Sequence, residues 1–71
     1  MARKISFGTH VRTARKKQKL RVRDVAAKMD ISDSAIYFWE TDRKRPNDAN
    51  LKALCKVLKL PVTATKAMAE V

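Results

Sequence analysis

The sequence predicts a small all-α domain, and three observations carry that reading. The chain has 71 residues with one Gly and two Pro, too few breakers for a turn-rich sheet protein. Its apolar residues recur at helical spacing rather than alternating. It is rich in Ala, Leu, Lys and Arg, the residues that lose least on entering a helix. A chain of this length buries only roughly 60% of the surface its unfolded form exposes, so it has one modest core and little room for an enclosed active site.

Residues 6 to 18 form the first expected helix: Ser6 can cap it, and Phe7, Val11 and Ala14 recur at i, i+4 and i+7 with the charges elsewhere. A shorter second helix of about two turns follows Leu20, with Val25, Ala26 and Met29 on one face and a tight connection at Asp30-Ile31. Ser32, Asp33 and Ser34 supply a capping hydroxyl and a carboxylate beside the positive end of a dipole, so a third helix is expected over about 33 to 41. The stretch TDRKRPND, residues 41 to 48, reads as a loop into a fourth helix, capped by Asn47 or Asp48, with Leu51, Leu54, Cys55 and Leu58 as its apolar face. Pro61 closes that helix, and a short fifth over 62 to 71 has Val62, Met68 and Val71 as its apolar residues. These elements make one domain, residues 6–71, preceded by a basic arm at 1–5.

Lys and Arg number 17 against 7 Asp and Glu, a formal charge of +10. Such an excess repels itself in the folded state and favours a polyanionic partner, nucleic acid first. A merely solvated surface would mix the signs, whereas the first 23 residues carry Arg3, Lys4, Arg12, Arg15, Lys16, Lys17, Lys19, Arg21 and Arg23 and no acid. One cysteine excludes an intrachain disulfide, and with His10 the only histidine a Cys-based metal site lacks ligands, so neither metal nor cofactor is expected. Cys55 reads as a small core thiol and His10 as a surface residue. No apolar run reaches the about 18 residues of a membrane span, and no hydrophobic region follows the basic N-terminus, which predicts a cytoplasmic protein without a membrane partner. Nucleophile, base and orienting group form no pattern here, and there is no Gly-rich phosphate loop; the protein is not expected to be an enzyme.

The stretch SAIYFWE, residues 34 to 40, sets three of the four aromatic residues in a row inside the third helix. Successive helical residues are about 100° apart, so Tyr37, Phe38 and Trp39 face three directions. With Ile36 and Trp39 inward, Ser34, Tyr37, Phe38 and Thr41 share an exposed stripe at i, i+3, i+4 and i+7. A single exposed aromatic is ordinary. Here two share a surface with small hydroxyls beside Arg43, Lys44 and Arg45, a mixture suited to a groove with phosphate walls and base edges below.

The stretch LRVRDVAAKMDISDSAIYFWE, with Pro46 and NLKALCKVLKLP following, resembles the phage Cro and repressor family of helix-turn-helix DNA-binding domains over about residues 6 to 60. Ala26 occupies the close crossing of the two helices, and Val25, Met29, Ile31, Ile36 and Trp39 match the motif's apolar positions. The resemblance implies a compact four- to five-helix lambda-repressor-like domain, with the helix-turn-helix at about 21–41. It also implies a structural ion pair between Arg15 and Glu40. There are departures. Asp30 stands where the family usually has Gly, which calls for a left-handed backbone that Asp tolerates. Arg21 replaces the usual Ser or Thr cap of helix 2, and Val22 replaces a Gln that often touches phosphate, a contact Arg21 could supply electrostatically. Asp33 opens the recognition helix where a neutral base reader is common, and serves either to read a cytosine amino group or to cap the helix.

The resulting expectation is a sequence-specific transcriptional regulator of phage or bacterial origin, a small Cro-like repressor that binds double-stranded DNA at a palindromic operator as a homodimer. Asp33, Ser34, Tyr37 and Phe38 would read bases, with Phe38 against a thymine methyl; Arg21, Thr41, Arg43, Lys44 and Arg45 would hold phosphates. Residues 58–71 are the expected dimerisation segment, and the end of the chain there leaves no effector-binding domain to expect and no small-molecule effector. Two other classes compete: a protein-interaction module such as an antitoxin or adaptor of the same fold, and a weakly selective nucleic-acid or RNA binder for which charge alone suffices.

Overall fold

The computed structural model describes residues 6–69, with side chains as far as Ala67. Its five helices are α1 Phe7–Lys17, α2 Val22–Met29, α3 Asp33–Glu40, α4 Asp48–Leu58 and α5 Val62–Ala69. The architecture is all-α, as the sequence predicts. The basic arm at 1–5, together with the side chain of Met68 and all of Val71, lies outside the described residues.

Each boundary has a local cause. Ser6 Oγ accepts from Thr9 N–H at 3.1 Å and Asn47 Oδ1 from Asn50 N–H at 2.8 Å, which starts α1 and α4 and identifies Asn47 rather than Asp48 as the cap. Arg21 has no side-chain acceptor, so α2 is closed from the other direction: Asp24 Oδ2 accepts from Arg21 N–H at 2.8 Å. Ser32 does hold the cap position of α3, yet its hydroxyl makes no capping bond, contrary to expectation; Asp33 sits in the first turn, where its carboxylate faces the dipole. The C-termini of α2 and α4 turn through left-handed residues, Asp30 at φ 57° and Lys59 at φ 57°. Ile31 N–H then reaches Ala26 C=O at 3.0 Å and Leu60 N–H reaches Cys55 C=O at 2.9 Å, bonds that close both helices.

One core joins all four main helices: Phe7, Val11 and Ala14 of α1, Val22, Val25 and Ala26 of α2, Ile36 and Trp39 of α3, and Leu51, Leu54, Cys55 and Leu58 of α4. Met29 and Ile31 pack against its edge. Helix α3 is held between α1 and α2, while α4 closes the opposite side and carries α5. The inward face of α5 differs from the expected one. Val62 is exposed and Thr65 is fully buried, because its hydroxyl finds Cys55 and, at 3.4 Å, His10 Nε2. His10 is therefore partly covered and joins α1 to α5, rather than standing free on the surface.

Gly8, the one glycine, sits where α1 meets the end of α3. A Cβ there would collide with the Glu40 carbonyl and stand 2.8 Å from Asp42 Oδ2. The same approach lets Asp42 Oδ1 accept the Gly8 N–H at 2.8 Å, so a carboxylate from the loop after α3 caps the first turn of α1.

Candidate nucleic-acid interface

Helix α3 is held at its C-terminal end. Glu40, its last residue, receives two hydrogen bonds from Arg15, Nε to Oε2 at 2.6 Å and Nη2 to Oε1 at 3.0 Å. Both side chains are largely buried, 12% and 5% exposed, which removes the water that makes surface pairs weak. Arg15 Nη1 also donates to Leu20 C=O at 2.9 Å, so the guanidinium fastens α3 to α1 and to the α1–α2 connection at once. The hydrogen bonds it donates to Glu40 raise the Arg15 pKa above its already high ordinary value, against the effect of burial.

With Ile36 and Trp39 inward, the outer face of α3 presents Asp33, Ser34, Tyr37 and Thr41, all exposed; Tyr37, at 56%, is the most exposed of the large hydrophobic residues among those described. Phe38 departs from the expected fully exposed stripe. It is partly buried, and Lys44 Nζ lies 5.0 Å from its ring centroid. Thr41 Oγ1 donates to Tyr37 C=O at 2.7 Å, so its proton is committed to the helix end and the hydroxyl turns outward only as an acceptor. Such a hydroxyl must leave that bond before it can donate to a phosphate.

The loop after α3 is folded rather than loose. Asp42 adopts φ 61°, its N–H donates to Trp39 C=O at 3.2 Å, and Arg43 and Lys44 N–H both reach Phe38 C=O, at 2.9 and 3.2 Å. Arg43, Lys44 and Arg45 thus follow the end of α3 as an exposed basic run, with Lys44 beside Phe38. Arg21 is exposed at the start of α2. The arrangement can present an apolar and hydroxyl-bearing helix face between cations, which is the chemistry of base edges flanked by phosphates.

Two contributors to this geometry escape a reading by periodicity, Gly8 and Asp42. A lone Gly inside an otherwise good helical pattern is the available signal for the first, since it marks a close backbone approach. Asp42 carries no such mark. Among the described residues no group of three or more His, Cys, Asp or Glu is placed to hold a metal ion, and no helix is long and apolar enough to cross a membrane.

Residues 11–64 match the family model described as Helix-turn-helix. No curated protein matches the sequence significantly. Among solved structures the chain is similar to the P22 c2 repressor protein, crystallised in complex with synthetic operator 9T in the presence of Tl+. The two share 32% identity at a TM-score of 0.83, over 87% of this chain and 94% of that one. The family match takes in α2, α3 and their left-handed turn, together with Arg15 and Glu40 that hold them. On its sequence and its fold, the chain belongs to the phage Cro/repressor-type helix-turn-helix family, and is a DNA-binding transcription regulator rather than an enzyme.

Proposed function

We propose that the protein is a small Cro-like repressor that inserts α3 into the major groove and binds a palindromic operator as a homodimer. The observation that carries this reading is the outer face of α3, where Ser34 and Tyr37 stand exposed on a helix clamped by Arg15 and Glu40 and bordered by Arg43, Lys44 and Arg45. In this reading Ser34, Tyr37 and Phe38 contact base edges, and Asp33 accepts from a cytosine amino group or orients a neighbouring cation. Arg21, Arg43, Lys44 and Arg45 neutralise phosphates, with Thr41 accompanying them once its hydroxyl is released. The likeness to a repressor crystallised in complex with a synthetic operator supports DNA as the partner.

One recognition helix spans few base pairs, so two copies on half-sites about 34 Å apart, or a multiple of that, supply the required selectivity. Residues 58–71 are the proposed contact between them. Selection of bound duplexes from a random pool, followed by stoichiometry on the enriched site, tests this function. A palindrome occupied by two chains is expected. Binding without enrichment points to a charge-driven coat, and absence of DNA binding to a protein-interaction module.

A further inference from the structure

The Lys44 ammonium over Phe38 joins two side chains that the sequence assigns to different tasks, one to phosphates and one to bases. Their backbones are joined too. Phe38 C=O accepts from Arg43 N–H at 2.9 Å and Lys44 N–H at 3.2 Å, because Asp42 at φ 61° doubles the chain back over the end of α3. Lys44 is therefore anchored to the carbonyl of the residue whose ring its side chain covers. A cation within about 6 Å of a ring centroid is held there by the ring quadrupole, and it limits the ring's freedom to turn. The Phe38 side chain has no donor or acceptor, so among the groups that a base edge displays in the major groove it suits the thymine 5-methyl.

We propose that Lys44 is a positioning residue for Phe38: lying across one face of the ring, it holds Phe38 toward a thymine methyl while its remaining N–H donors face the adjoining phosphate. This rests on the reading of α3 as the base-reading helix. Its consequence is that removing the charge at residue 44 changes which bases are preferred, and not only how tightly DNA is held. A lysine that only met phosphate would affect all duplexes alike.

The test uses the duplex recovered by selection and a series in which each thymine in turn is replaced by deoxyuridine, which removes the methyl and nothing else. Binding is measured for the wild type, Phe38→Ala, Lys44→Met and Lys44→Arg, after circular dichroism has shown each to be folded. The wild type is expected to lose about fourfold at one thymine of each half-site, the contribution of one methyl-sized apolar group. Phe38→Ala abolishes that loss, Lys44→Met reduces it to about twofold or less, and Lys44→Arg, which keeps a cation able to stack, preserves it. In the free protein, the Lys44 ε-methylene protons are shifted upfield by the Phe38 ring, and Phe38→Ala removes the shift.

Equal weakening of every duplex by Lys44→Met, with the deoxyuridine loss intact, would overturn the proposal and leave Lys44 a phosphate contact. So would a wild type that selects an operator strongly yet responds to no deoxyuridine; the reading of α3 would then stand without the thymine contact. A protein that selects no operator from the random pool removes the underlying reading and this inference with it.

Discussion

Arg15 and Glu40, 25 positions apart in the sequence, are joined by a two-pronged ion pair at 2.6 and 3.0 Å inside the wedge between α1 and α3. The third contact of the same guanidinium, to Leu20 C=O at 2.9 Å, leaves little room for α3 to rotate about its axis. That rotation decides which residues of the outer face, Asp33, Ser34, Tyr37 and Thr41, lead toward a partner.

Removing one member strands the other in a poorly solvated site. Arg15→Ala is expected to lower the unfolding free energy by about 2–4 kcal/mol, a large part of what a domain of this size has. Replacing both, as Arg15→Met with Glu40→Leu, should recover most of it because neither charge remains buried. Urea titration of the three variants checks this; a loss under about 0.5 kcal/mol for Arg15→Ala would mean that the pair is a surface contact in solution.

Gly8→Ala sets two effects against each other. Alanine gains about 1 kcal/mol as a helix former, but its Cβ meets the Glu40 carbonyl, and relieving that contact shifts the α1–α3 crossing and lengthens the Gly8–Asp42 hydrogen bond. Overpacking of this kind typically costs about 1–3 kcal/mol, and here the atom in the way is backbone, so a net destabilisation is expected. Thermal unfolding reads the sign directly, and a raised midpoint would show that the crossing is looser than described.

Burial raises the Cys55 pKa above its ordinary value of 9.0, and a hydrogen bond with Thr65 partly opposes it. The unfolded thiol therefore ionises first, so the stability associated with Cys55 is full below pH 9.0 and falls as pH rises from there toward the raised folded value. The decline has a limiting slope of about 1.4 kcal/mol per pH unit. Denaturant titrations from neutral pH to about pH 10 should show it for the wild type and not for Cys55→Ala. Parallel profiles for the two proteins would place the thiol in contact with water.

Binding variants separate the two kinds of contact proposed for the α3 face. Arg43→Ala is expected to weaken operator and random duplexes alike and to lower the salt slope by about one unit. Phe38→Ala should narrow the ratio between them, by about fourfold for each half-site if it removes one thymine-methyl contact. Fluorescence titrations at several salt concentrations measure both, and an unchanged slope for Arg43→Ala would take it off the phosphate surface.

What the sequence made legible was mostly what neighbours within a few residues decide. The caps at Ser6 and Asn47 and the inward Ile36 and Trp39 follow from local spacing and backbone preference, whereas the left-handed Asp30 was legible only through the family resemblance. Contacts between distant segments were not legible in that way: the Gly8–Asp42 bond spans 34 positions, and the Phe38 ring is covered by a side chain from the following loop. Arg15 and Glu40 became a pair only through the family resemblance. Thr65 entered the core in place of Val62 because its hydroxyl has partners on α1 and α4, a condition invisible to a pattern that ranks residues by hydrophobicity. Lys59 in a left-handed cap shows the same limit, since Gly or Asn is the usual mark of such a turn.

In the proposed function, the outer face of α3 chooses the DNA sequence. Duplex selection from one random pool, carried out at near-physiological salt with the wild type and with Ser34→Ala/Tyr37→Ala/Phe38→Ala in parallel, tests it most directly. The wild type is expected to enrich a palindrome, and the triple variant to retain salt-sensitive binding while losing that enrichment. Recovery of the same palindrome by the triple variant would contradict this reading and move sequence recognition to another surface.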